Sequence, residues 1–319
     1  MYWFPGTFEI LKKKMKYPKR LNQGDKVGVV ALAGPVDREI LEKGLEVLRR
    51  MGFCPVLAEH IHAKDRYLAG TDAQRTNDLH AFFKDSNIKG IFCARGGYGV
   101  NRIISRLDSS IIRENPKVFV GSSDITLLIL FLVQQCSMVT FHGPMIAGNF
   151  GRYPMTKSKR QFGRILLGNK AGKRLTAKEA RIFRPGVGEG KLIGGCLTLL
   201  CRSLGTPWEI RTRNKILLLE DVNEPIYKID GMLWHLKQAG KFRGIRGIVF
   251  GEMVNCQPSK KSNGSFKEIL KEVFAGNSFP IVTDFPSGHG REMLTLPMGV
   301  EAKLDTKTKT LEFENCGVL

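Results

Sequence analysis

The strongest constraint on this chain is an alternation that runs as far as Phe150: short apolar runs, each followed by a segment with helical spacing. Lys26 to Ala33 carries Val27, Val29, Val30 and Leu32 and stops at Gly34-Pro35, as a strand buried on both faces does. Asp37 can cap the helix that follows, Ile40, Leu41, Leu45 and Leu48 fall at helical spacing, and Gly52 supplies the residue after its end. Phe53 to Ala58, Ile88 to Ala94, Lys117 to Gly121 and Met138 to Phe141 read as further strands. Helices are expected over Thr71 to Phe83, after Gly99 and over Leu127 to Cys136. Such a pattern specifies an α/β fold with a doubly wound, mostly parallel sheet, whose ligands bind at the carboxyl ends of the strands.

Residues 1–20 read as a basic N-terminal arm, poorly ordered up to a turn at Gly24-Asp25, and 21–150 as the first unit. Between 151 and 188 the pattern dissolves into Arg, Lys, Gly and Pro, which reads as a linker. A second unit, 189–319, has strands at Lys215 to Leu219, Gly247 to Gly251, Ile281 to Thr283, Val300 to Leu304 and Thr310 to Phe313. Its helices are expected at Cys196 to Leu204, Ile226 to Ala239 and around Phe266 to Phe274.

Composition excludes several classes. No apolar run reaches the roughly 18 residues of a membrane span, and the N-terminus lacks the apolar core of a signal peptide. The seven cysteines are scattered and odd in number, with no Cys-x-x-Cys pair, which fits reduced thiols in a cytoplasm better than a disulfide framework or a zinc site. The formal charge of +20 attracts anions without choosing among them. Its residues are spread over the chain instead of being interleaved with aromatics on one element, which argues against a nucleic-acid module.

Chemistry concentrates at Lys117 to Thr126, where a buried strand breaks into an apolar helix at Ser122-Ser123-Asp124. A serine there stands at the positive end of a helix, where a nucleophile and an oxyanion site can be built together; the competing reading is a simple N-cap. Arg95-Gly96-Gly97-Tyr98-Gly99 is a second junction of the same kind. It lacks the Lys-Ser/Thr of a phosphate loop and the spacing of a dinucleotide fingerprint, so no cofactor is expected. A serine needs a base. Of the six histidines, His80 and His235 lie in helices, His60 and His62 lack companions for a metal site, and His142 ends a strand. His289, between Gly288 and Gly290 in a loop after a strand, is free to project into a cleft, and Glu220 follows the buried run Ile216 to Leu219 as a carboxylate able to orient it. Ile125 occupies the second glycine position of an α/β-hydrolase elbow, which disfavours that fold.

These segments, together with Thr140-Phe141-His142-Gly143-Pro144-Met145 and Leu219-Glu220-Asp221-Val222, resemble the LD-carboxypeptidase (muramoyltetrapeptide carboxypeptidase) family of serine peptidases from about Leu21 onward. The resemblance implies an N-terminal domain like that of class I glutamine amidotransferases, a C-terminal swivelling β/α domain, and an active site between them. It implies Ser123 as nucleophile, His289 as base and then acid, Glu220 as the group orienting His289, and the N–H groups of Gly97 and Asp124 as the oxyanion hole. It further implies cytoplasmic removal of the terminal D-alanine from murein tetrapeptide in peptidoglycan recycling, no metal or cofactor, and a homodimer. Two positions depart from the family pattern: Ser122 stands where relatives often carry an aromatic residue, and Cys196 where an asparagine is expected. Relatives that confer microcin C immunity cleave a peptidyl- or aminoacyl-nucleotide with the same triad, which is the alternative substrate class. A basic nucleic-acid-binding protein is the more distant alternative.

Overall fold

The computed structural model describes residues 14–256 and 264–319. Of the expected N-terminal arm, residues 1–13 lie outside the described residues. The first sheet has the parallel strands β1 (Lys26–Val30), β2 (Cys54–Leu57), β3 (Ile88–Cys93), β4 (Val118–Gly121) and β5 (Thr140–His142). Between and after them run helices α1 (Arg38–Arg50), α2 (Asp72–Lys84), α3 (Val100–Ile103), α4 (Ser109–Glu114) and α5 (Thr126–Gln134). Asp37 caps α1 by accepting the Ile40 N–H, and Thr71 and Gln74 form a capping box on α2.

The later chain forms α6 (Thr156–Leu166), β6 (Arg174–Thr176), β7 (Arg181–Arg184), β8 (Val187–Cys196), α7 (Leu197–Ser203) and β9 (Lys215–Val222). Next come α8 (Ile226–Gln238), β10 (Gly247–Val254), α9 (Phe266–Val273), β11 (Ile281–Thr283), β12 (Leu296–Met298), β13 (Glu301–Asp305) and β14 (Thr310–Phe313). The second sheet runs β6-β14-β13-β8-β9-β10-β11-β7, with the parallel ladder β8 to β11 at its centre and antiparallel strands on both sides. The fold is thus α/β with two sheets, the first mostly parallel.

Helix α5 is apolar all round, and every residue from Thr126 to Val133 is buried. A helix of that kind must be covered on all sides: it packs against β5 on one side and against β8 and α7 on the other. The serine turn that precedes it is therefore held at the seam between the two sheets.

Three expectations need correction. The stretch 151–188 is not featureless: α6 buries Ser158, Gln161, Phe162, Ile165 and Leu166 at helical spacing, and β6 and β7 edge the second sheet. The lysines and arginines that mask the pattern occupy the outer face of α6. Second, 189–319 is not confined to one sheet, because β12 pairs antiparallel with β5 (Leu296 opposite His142) and closes the edge of the first. With three residues, one of them Pro297, β12 has no alternation to read, and proline is tolerated there because an edge strand has N–H positions that need no ladder partner. Third, residues 14–25 are tied down: Lys16 N–H donates to Ser137 O, Val139 N–H to Lys16 O, and Leu21 is buried. Arg20 N–H donates to Leu319 O while Leu319 N–H donates to Pro18 O.

Candidate active site

Strand β4 is buried along its length, and the backbone turns at its end. Ser122 is extended, and Ser123 has φ +58°, in the left-handed region, before a 3₁₀ turn over Ser123–Ile125 runs into α5. Holding a non-glycine residue there costs on the order of 1 kcal/mol, so the surrounding packing has to enforce it. Gly121 permits the turn: a Cβ on it would lie 2.6 Å from Ile125 Cγ2. Ser122 sits at the N-cap position and makes no side-chain capping bond, so its hydroxyl does not serve as a cap.

The glycine loop after β3 lies directly against this turn. A Cβ on Gly96 would stand 2.7 Å from Ser123 Cβ and 2.8 Å from Ser123 Oγ. Gly96 O accepts the Gly34 N–H at 3.2 Å and Arg95 Nε–H at 3.1 Å. In a planar trans peptide the N–H points opposite to the carbonyl, so the Gly97 N–H is turned away from Gly34. Gly97 has φ +129°, a conformation L side chains rarely adopt. The Asp124 N–H belongs to the first turn of the helical segment, where amides have no partner within the helix.

His289 and Glu220 form a pair, His289 Nδ1 to Glu220 Oε2 at 2.7 Å. Glu220 is fully buried near the end of β9, and the His289 side chain is 22% exposed. Gly288 permits this approach, because a Cβ on it would lie 2.8 Å from Glu220 Oε2. Burial pulls the His289 pKa down, but the Glu220 charge and hydrogen bond, with Asp221 and Glu252 behind them, hold it above the ordinary histidine value. Among the described residues no hydrogen bond joins Ser123 Oγ to His289. Hydrogen bonds of this type are often long in unliganded sites and tighten on substrate binding.

The two halves of the site are nonetheless physically connected. Thr126 Oγ1, one turn after Ser123, accepts the Cys196 N–H at 3.1 Å. Cys196 is the register partner of Glu220 across the β8–β9 ladder. The unexpected cysteine therefore has a structural setting: its Sγ is 3.7 Å from Asp221 Oδ1, while Asp221 Oδ2 accepts the Thr198 N–H and Oγ1–H at 2.9 and 2.8 Å.

The other histidines have different surroundings. His60 Nδ1 pairs with Asp78 Oδ1 at 2.8 Å, and His80 Nε2 accepts the Asp108 N–H at 3.0 Å. His142 is fully buried behind the site, and burial pushes its pKa down to about 4, so it is neutral. Among the described residues no group of three or more potential metal ligands exists.

Two charged groups beside this site are not evident from the sequence. Glu252, on β10, is close enough to Gly290 to accept its N–H, and burial raises its pKa. Arg75, on α2, is completely buried beneath the glycine loop. Glu252 follows the run Ile248 to Gly251 much as Glu220 follows its own, a signal that could have found it; an arginine in an amphipathic helix gives none.

A serine at a strand-to-helix turn and a histidine–carboxylate pair on the second unit are the kinds of group a serine hydrolase uses. Residues 27–143 match the LD-carboxypeptidase N-terminal domain and residues 189–304 the LD-carboxypeptidase C-terminal domain. The chain belongs to the LD-carboxypeptidase family and is a serine-type carboxypeptidase. It is 38% identical over 313 residues, 97% of this chain and 96% of the relative, to a probable murein peptide carboxypeptidase of Bacillus subtilis. It is 32% identical to the murein tetrapeptide carboxypeptidase of Pseudomonas aeruginosa over 88% of this chain and 93% of that one. A solved structure of the microcin C7 self-immunity protein MccF in complex with glutamyl sulfamoyl guanosine superimposes with a TM-score of 0.87 at 25% identity, covering 93% of this chain and 98% of that one.

Proposed function

We propose that this enzyme removes the terminal D-alanine from murein tetrapeptide, cutting at the L-centre of the diamino acid, and that Ser123, His289 and Glu220 carry the reaction. The observation that supports it most is the 2.7 Å His289–Glu220 pair on the half of the site opposite a serine held at φ +58°. In this reading His289 Nε2 takes the Ser123 proton as Oγ attacks the scissile carbonyl. The Glu220 carboxylate fixes the imidazole with Nδ1 protonated and Nε2 free. The tetrahedral oxyanion is received by the N–H groups of Gly97 and Asp124. Collapse breaks the C–N bond, His289 returns the proton to the leaving D-alanine, and a water deprotonated by His289 then hydrolyses the ester to tripeptide and free Ser123.

We further infer a division into a nucleophile unit, 21–150, and a unit supplying Glu220 and His289, 189–319, with the reaction at their seam. The setting we propose is the cytoplasm, where free cysteines such as Cys54 and Cys201 stay reduced, and the peptide is one released during wall recycling. The homodimer implied by the family resemblance is part of the same proposal. Cleavage of an aminoacyl-nucleotide is the second reading, supported by the likeness to MccF. The test is D-alanine release from free and disaccharide-linked tetrapeptide, run beside hydrolysis of an aminoacyl sulfamoyl adenylate. Release that is abolished in Ser123→Ala supports the first reading; turnover of the adenylate alone supports the second.

A further inference from the structure

We propose that the Asp124 side chain, braced by Arg75, is the positioning group that sets the two oxyanion donors against each other. This rests on the reading of Gly97 and Asp124 amides as that hole. Asp124 is 1% exposed. Its Oδ2 accepts the Val100 N–H at 2.9 Å, reaching from the turn after β4 to the first residue of α3. The neighbouring Gly99 amide lies close enough to help hold the same carboxylate ionised. The residue that contributes one donor through its backbone thus grips, through its side chain, the far end of the loop that contributes the other.

Arg75 holds that loop from the opposite side. Its Nη1 donates to Gly99 O and to Leu32 O, both at 2.8 Å, and its Nη2 donates to Asp72. Asp72 is in turn held by Arg102 at 2.9 and 3.0 Å. A Cβ on Gly99 would lie 2.6 Å from Arg75 Nη1, so the guanidinium packs against the loop backbone. The loop is consequently pinned at Gly96 by Gly34 and Arg95, and at Gly99 and Val100 by Arg75 and Asp124. Gly97 lies between the pins. Charges alternate along Asp124, Arg75, Asp72 and Arg102, which offsets the placing of a carboxylate beside a developing oxyanion. Burial raises the Asp124 pKa to about 6, against the pull of the Val100 amide, Arg202 and Arg75, and leaves it ionised at neutral pH.

The carboxylate holds the Val100 N–H with a full negative charge, whereas an asparagine offers only a neutral oxygen on one side and an NH₂ on the other. Misplacing a reacting group by about 1 Å costs roughly 10²-fold, and losing an oxyanion donor about 10²–10³-fold. The measurement is the rate at which a small fluorophosphonate modifies Ser123, followed by intact mass; this reaction needs the nucleophile and the hole but no peptide subsite. Asp124→Asn and Arg75→Lys are each expected to react about 10- to 100-fold more slowly than wild type. On tetrapeptide the loss should fall on kcat, with KM within about twofold, since an oxyanion contact acts in the transition state. Labelling of both variants at the wild-type rate, or a loss confined to KM, overturns the inference. If Asp124→Asn does not fold, Arg75→Lys decides alone. A wild type that labels but releases no D-alanine removes the proposed substrate and leaves the positioning role standing; a wild type that does not label removes both.

Discussion

Replacing Glu220 by glutamine tests the proposed proton-transfer pair with little change of shape. The 2.7 Å contact to His289 ceases to be charge-assisted. Hydrogen bonds to charged groups contribute about 1.5–3 kcal/mol against about 0.5–1.5 kcal/mol for neutral ones, and the difference of about 1–1.5 kcal/mol is roughly a 5- to 13-fold loss of kcat/KM. Any loss of tautomer control adds to that. The pH profile moves as well. In the proposed role His289 works neutral, and in wild type the neighbouring carboxylates hold its pKa above the ordinary value, so activity is expected to rise as pH climbs through that raised pKa. Without the Glu220 charge the downward pull of burial meets less opposition, and the acid limb shifts to lower pH. Stability runs the other way: a histidine whose folded pKa exceeds its unfolded value of 6.5 contributes stability fully present below 6.5 and lost as pH rises through the folded value. Wild type should therefore lose thermal stability across the same window in which it gains activity, and Glu220→Gln should show a flatter dependence. D-alanine release and thermal midpoints measured in the same buffers from about pH 5 to 9 give both curves. A variant rate within about threefold of wild type, with an unmoved acid limb, refutes the role given to Glu220.

Three further outcomes follow from the site's geometry. Ser123→Gly removes the proposed nucleophile and relieves the left-handed strain, so it should be inactive yet more stable by up to about 1 kcal/mol in denaturant titration. Gly288→Ala, at φ +131° and with its Cβ aimed at Glu220 Oε2, should destabilise by about 1–3 kcal/mol and lower kcat more than a comparable surface change. Thr126→Val leaves the Cys196 N–H unpaired where the two halves meet, which should cost about 1–3 kcal/mol in thermal or denaturant unfolding.

Much of the framework was legible because it is local. Five strands of the first sheet announce themselves as apolar runs, and the serine break and both glycine segments interrupt regular elements at the carboxyl ends where ligands bind. The closeness of His289 and Glu220 was legible only through the motif resemblance, since no local pattern links residues that far apart. Arg75 was hidden for a different reason: its environment is made by the carbonyls of Leu32 and Gly99, and backbone carbonyls leave no trace in composition. Strand β12 is too short for periodicity, and the inward stripe of α6 is outnumbered by its basic outer face.

The antiparallel strand β12 also imposes an order of events on a chain made from its N-terminus. Until Leu296–Met298 have emerged from the ribosome, the outer edge of β5 has no partner, and an open edge invites pairing with another chain. By then the strand that bears Glu220 and the loop that bears His289 have already been synthesised. The sheet that presents the serine is thus completed only after both other proposed members of the site exist, so a prematurely terminated chain lacks the finished edge and, if it stops before residue 289, the histidine as well.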